Sequence, residues 1–129
     1  MTVCGLWQGV HRLAAAIANE DGLLRPPITV PANSNNTRHL LDYLADAQIN
    51  TLVLAEYSHS LITLAHARRL RVRLVPHDLL EGIRIATALN RRPPRHTAIL
   101  LARWPFTSAR YYLREFKPIT PQKSQLPLF

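Results

Sequence analysis

The chain has 129 residues, 47% of them hydrophobic, enough for a single domain to bury a core without disulfide or metal staples. Sixteen Lys and Arg stand against eight Asp and Glu, a net charge of +8, and fourteen of the sixteen are arginine. No apolar run approaches the roughly 18 residues of a transmembrane helix, and glycines at only 5, 9, 22 and 82 build no Walker A or dinucleotide turn, which leaves ATP- or NAD-dependent chemistry unsupported.

The opening Met1-Thr2-Val3-Cys4-Gly5-Leu6-Trp7 lacks the basic-then-apolar order of a signal peptide. Cys4 is the single cysteine, so no intrachain disulfide forms, and its apolar surroundings read as a buried, unreactive thiol. A cytoplasmic protein with no membrane contact is expected. Guanidinium forks match phosphate oxygens and stack on bases, so the arginine excess favours nucleic acid, DNA first, as the partner. A basic host composition or an acidic protein partner is the plainer explanation of the same count.

In chain order, residues 2–8 read as a first strand. Residues 12–18 suit a strand or a short helix, since alanine favours the helix locally. Asn19-Glu20-Asp21-Gly22 is a turn, and Pro26-Pro27-Ile28-Thr29-Val30-Pro31 an extended edge strand, so 12–18 is taken as the middle strand of a meander. Ser34-Asn35-Asn36 offers helix caps ahead of Leu40, Leu41, Leu44 and Ala45 at helical spacing. Leu52 to Ala55 is a buried strand, about Ser58 to Arg69 a helix, and Val72 to Val75 a second strand, together a right-handed βαβ unit. Glu56 stands at the carboxyl end of its first strand, where open α/β sheets collect their ligands.

Pro76-His77-Asp78 starts another helix, with Asp78 favoured by the dipole of the first turn. Asn90 to Arg95 interrupts the apolar pattern as a proline-stiffened basic loop. A helix over about Arg95–Arg103 follows, then one from Thr107 or Ser108 with Ala109, Tyr112, Leu113 and Phe116 on one face. The expected architecture is an α/β, ribonuclease H-like domain over residues 1–116. Its five-stranded mixed sheet is a three-strand antiparallel meander followed by βαβ, with helices on both faces. Residues 117–129 form a proline-rich mobile tail.

These pieces, in this order over residues 2–104, resemble the N-terminal RuvC-like domain of the DEDD transposases and pilin-gene invertases. Cys4-Gly5-Leu6-Trp7-Gln8 stands where that family has glycine-isoleucine-aspartate-valine on its first strand. Ile28 to Asn33 resembles its phenylalanine-proline-asparagine segment, Leu54-Ala55-Glu56-Tyr57-Ser58 its glutamate-alanine-threonine-glycine stretch, and Val72 to Pro76 its strand ending in asparagine-proline. Arg91 to Arg103 resembles the start of its last helix, which carries two aspartates. The resemblance implies a domain that holds two divalent metals with four carboxylates and cuts or transfers DNA strands. Here the first aspartate position falls on Trp7 (or Leu6) and the last two on Pro94 and Thr97, so Glu56 alone matches. One carboxylate does not hold a metal pair. The resemblance therefore implies a degenerate relative from a mobile element, without nuclease activity. The alternative is a Mg²⁺- or Mn²⁺-dependent nuclease with relocated ligands around Glu56, drawing on Asp78 with His77 or His59.

The six histidines show no zinc spacing and read as surface or capping residues. Ser58-His59-Ser60 beside Glu56 lacks a nucleophile-elbow pattern, and its serines are better N-caps. The arginine groups carry the functional expectation. Arg68, Arg69, Arg71 and Arg73 follow a helix end and the next strand, and Arg91, Arg92 and Arg95 occupy the basic loop. Arg110, Arg114 and Lys117 interleave with Tyr111, Tyr112 and Phe116, a pattern that suits phosphate neutralisation with base stacking. The plainer readings are a helix-dipole role for Arg68 and Arg69 and a core role for the tyrosines. A third function class, an interaction subunit, would use the 107–116 helix and the tail ending Leu126-Pro127-Leu128-Phe129 to dock on a partner or a second copy.

Overall fold

In a computed structural model, residues 1–56 and 59–115 are described. Tyr57, Ser58, the His59 side chain, Phe116 and the tail from Lys117 lie outside the described residues, with the readings placed on them. The strands are β1 (Val3–Gln8), β2 (Arg12–Asn19), β3 (Gly22–Leu23), β4 (Ile28–Pro31), β5 (Thr51–Ala55), β6 (Arg71–Val75) and β7 (Arg114–Glu115). The helices are α1 (Ser34–Asp46), α2 (His59–Ala67), α3 (His77–Ala86) and α4 (Pro94–Arg103).

The strands form one mixed sheet in the order β3-β2-β1-β5-β6-β7, with β4 also on β2. β1 runs antiparallel to β2 and parallel to β5, and β6 parallel to β5, which is the ribonuclease H-like arrangement expected from the element order. The five-strand count needs correction at both edges. β3 bonds Ala18 and Asn19 of β2 while β4 bonds Arg12 to Ala15 further along the same edge, so they are two pieces of one strand. Pro26 and Pro27 between them have no N–H to give the ladder. At the far edge, β7 adds antiparallel to β6.

Alternation along the strands sends side chains to two cores. Cys4, Leu6, Leu13, Ile17, Leu52, Leu54 and Val72 pack with α1 and α2. Trp7, Ala14, Ala16, Ala18, Val53, Ala55 and Val75 pack with α3 and α4. The alanines of 12–18 are therefore strand residues, chosen for thinness rather than for helix propensity. α4 lies so close to β1 that a Cβ on Gly5 would stand 2.2 Å from the Ala102 amide nitrogen and 2.4 Å from the Ala98 carbonyl oxygen. Only glycine fits there. The helix α1 is capped by Asn33, one residue ahead of the expected caps, whose side chain accepts from the Asn36 amide at 2.8 Å.

Cys4 is fully buried in β1, and burial pushes its thiol from 9.0 up to about 12 against a smaller opposing hydrogen bond from the Ala16 backbone. The native thiol stays neutral where the unfolded one ionises. Stability is thus fully present below about pH 9 and falls as pH climbs toward 12, at most about 1.4 kcal/mol per unit. A thiol reagent at pH 8 is expected to label Cys4 only in denaturant; rapid labelling of the native protein would contradict this burial. Gly5→Ala is expected to cost about 3 kcal/mol or more in urea unfolding, because backbone must move. Gly82→Ala, in α3 with nothing within 4 Å of its Cβ, should instead gain up to about 1 kcal/mol.

Candidate nucleic-acid interface

The closeness of α4 to β1 decides what meets at the carboxyl ends of the strands. α4 runs antiparallel to β1: Ala98 and Ala102 face Gly5, and Pro94 reaches Gly9. A Cβ on Gly9 would lie 3.8 Å from both Pro94 Cγ and Trp7 Nε1. α3 leaves the end of β6, yet its last turn stands over Trp7 on β1. Leu79, Leu80 and Ile83 of the helix pack on the same face of the sheet as Trp7.

Arg84 closes this corner. Its guanidinium lies 4.4 Å from the centroid of the Trp7 ring, its Nε donates to Thr97 Oγ1 at 3.3 Å, and Nη1 donates to Glu81 Oε1 at 2.8 Å. Only 15% of the Arg84 side chain is exposed. Trp7 and Thr97, far apart in the chain, are thus brought together around a cation. Nothing in the sequence pattern singled out Arg84, whose position on an amphipathic helix looks like ordinary solvation.

Glu56 is engaged elsewhere. Continuing the β1–β5 register sets Trp7 level with Ala55, so Glu56 follows one residue beyond that level. Its carboxylate accepts from Arg114 Nη1 at 2.6 Å. Asp78 is exposed in the first turn of α3, as expected. No three His, Cys, Asp or Glu side chains among the described residues gather closely enough to hold a metal ion. An indole, a proline ring, a threonine hydroxyl and a guanidinium also make a donor set that suits no pair of hard divalent cations. The residues of this corner do not fit the two-metal centre that the ribonuclease H-like fold accommodates.

The arginine groups separate into engaged and open ones. Arg68 pairs with Asp42 at 2.6 Å and donates to the Leu64 carbonyl at 3.0 Å, which is the helix-end role. Arg71 holds Glu115 at 2.5 Å, and Arg73 is half-buried between β5 and β7. Of these four, Arg69 alone is exposed and unpaired with a carboxylate. The structure does not make them one open surface. Arg91, Arg92 and Arg95 are all exposed. The loop is shorter than expected: Arg91 ends a 3-10 turn, Arg92 is extended, and Arg95 already belongs to α4. Because Pro94 touches the β1–β2 turn, this basic segment adjoins His11 and Arg12, both exposed, with the Gly9 amide bonded to the Arg12 carbonyl at 2.8 Å. The sequence reading missed His11 and Arg12.

A separate hollow of about 300 Å³ opens between β2, β4 and α1, walled by Leu13, Ile17, Ile28, Val30 and Leu40. It is apolar and lies on the opposite face of the sheet from Trp7 and Thr97. No helix among the described residues is long and apolar enough to cross a membrane.

No protein-family model matches the chain, and no curated protein matches it in sequence. Two solved structures of Thermus thermophilus RuvC are similar to it in fold. RuvC in complex with a Holliday junction substrate superposes with a TM-score of 0.61 at 13% identity, over 90% of this chain and 99% of that one. A second RuvC structure gives 0.61 at 14% identity, over 90% and 100%. The fold is ribonuclease H-like, of the RuvC type.

Arg84→Ala is expected to destabilise the protein by about 2 kcal/mol, from the lost ring contact, the Thr97 bond and the packed stem. Arg84→Lys should recover only part, since an ammonium has no plane to stack. Urea unfolding followed by tryptophan fluorescence measures both, and an unchanged midpoint for Arg84→Ala would remove Arg84 from the corner.

Proposed function

We propose that this protein binds nucleic acid, DNA in the first instance, along the carboxyl edge of its sheet, and that it holds phosphates there without cutting them. On this reading it is a degenerate relative of RuvC-like transposase domains that serves a DNA-processing complex of a mobile element. One observation carries the proposal. Arg91, Arg92 and Arg95, with Arg12 alongside, gather next to the corner where Arg84 stands over Trp7, and no carboxylate among the described residues pairs with any of the first four. A cluster of uncompensated guanidiniums at one edge is what a phosphate backbone neutralises. RuvC of the same fold has been captured on a Holliday junction, which makes branched DNA the first ligand to try.

Titration of labelled branched and duplex DNA at several salt concentrations tests this. Affinity is expected to fall linearly with salt on logarithmic axes, and replacing Arg91, Arg92 and Arg95 together by Ala should flatten the slope by about 2 to 3. Unchanged slope in the triple variant would move the interface elsewhere. Strand cleavage in Mg²⁺ or Mn²⁺ that Glu56→Ala abolishes would overturn the non-cutting reading.

A further inference from the structure

The sequence predicts a helix from Thr107 or Ser108 with Ala109, Tyr112, Leu113 and Phe116 on one face. The structure overturns this. Ser108–Tyr112 is a 3-10 turn, with Tyr111 78% and Tyr112 59% exposed. The turn is firmly held. The buried Trp104 donates its indole N–H to the Ala109 carbonyl at 2.8 Å, which ties the turn to the core. The Leu113 amide bonds to the Arg110 carbonyl at 3.1 Å. Thr107 caps the other end, its hydroxyl accepting from the Ala109 amide at 3.2 Å and donating to the Trp104 carbonyl at 2.8 Å.

Two large rings are therefore displayed on a fixed piece of backbone. Tyr111 is itself pinned: the Arg110 guanidinium sits 4.6 Å from its ring centroid, and Nη2 donates to its hydroxyl at 3.0 Å. The cation covers one ring face and leaves the other available. β7 runs antiparallel to β6 with Arg114 opposite Leu74, so the residues just before it lie toward the carboxyl end of β6. The turn thus leads from Thr107, beside Asn19 to Gly22, toward the carboxyl end of β6, the end of the sheet at which Pro94 and the basic segment meet Gly9. β1 and β7 are three strand spacings apart, roughly 14 Å.

We propose that Arg110, Tyr111 and Tyr112 form a stacking ledge for unpaired bases of a strand whose backbone lies on the basic segment. This rests on the nucleic-acid reading and specifies the form of nucleic acid: one with bases out of the double helix. The charge around the ledge favours a polyanion over a protein groove. Among the described residues, Glu56 is taken by Arg114 and Glu115 by Arg71, and no carboxylate pairs with Arg110. Exposed rings on a fixed turn, with guanidiniums for the backbone elsewhere on the same surface, are the combination that binds single strands without reading their sequence.

The test compares two labelled strands of equal length in fluorescence anisotropy: oligothymidylate, and the same backbone with abasic sugars. The wild-type protein is expected to prefer oligothymidylate by about tenfold or more. Tyr111→Ala with Tyr112→Ala should abolish that preference and leave abasic-strand affinity unchanged, while the Phe pair should keep it. A double alanine variant that retains the preference, or that weakens both strands equally, overturns the ledge; the salt response of duplex binding would be untouched by that result. Absence of any binding at low salt in the wild type would overturn the nucleic-acid reading as well.

Discussion

The approach of α4 to β1 is the constraint on which the rest depends. A helix normally rides about 10 Å above a sheet on its own side chains. Here Gly5 offers no side chain, the neighbouring strand offers Ala14, Ala16 and Ala18, and the helix answers with Ala98 and Ala102. Thin residues on both sides let backbone approach backbone. That depth sets Pro94 against Gly9 and Thr97 within reach of the Arg84 side chain. A methyl group at position 5 would lift the helix and dissolve the whole corner.

The corner itself is built around Arg84, a cation covalently part of the protein. The indole face attracts it, Thr97 accepts from it, and Glu81 balances it.

The remaining ion pairs shape where the net charge of +8 is felt. Glu20 holds the amino terminus, and Asp42, Glu56 and Glu115 hold Arg68, Arg114 and Arg71. Those pairs silence much of the α2–β6–β7 side. Individually such exposed pairs add little stability. Their larger effect is on the field: among the described residues, the arginines left without carboxylates include Arg12, Arg91, Arg92 and Arg95, which meet where Pro94 reaches Gly9.

The sequence by itself determined the order of elements, the antiparallel and parallel neighbours of β1, the helices on both faces and the solvent-facing basic segment at 91–95. Each of these is written in local periodicity, turn residues and proline positions, which act within a few residues. Only the tertiary structure decided that Arg84 sits on Trp7, that Glu56 is held by Arg114, that Arg71 is spent on Glu115, and that Trp104 holds the Ala109 carbonyl while Tyr111 and Tyr112 stand in solvent. Those outcomes join residues up to 77 positions apart, where no periodicity reaches. They follow from how far a helix can sink onto a sheet and which charged side chain then finds its partner first.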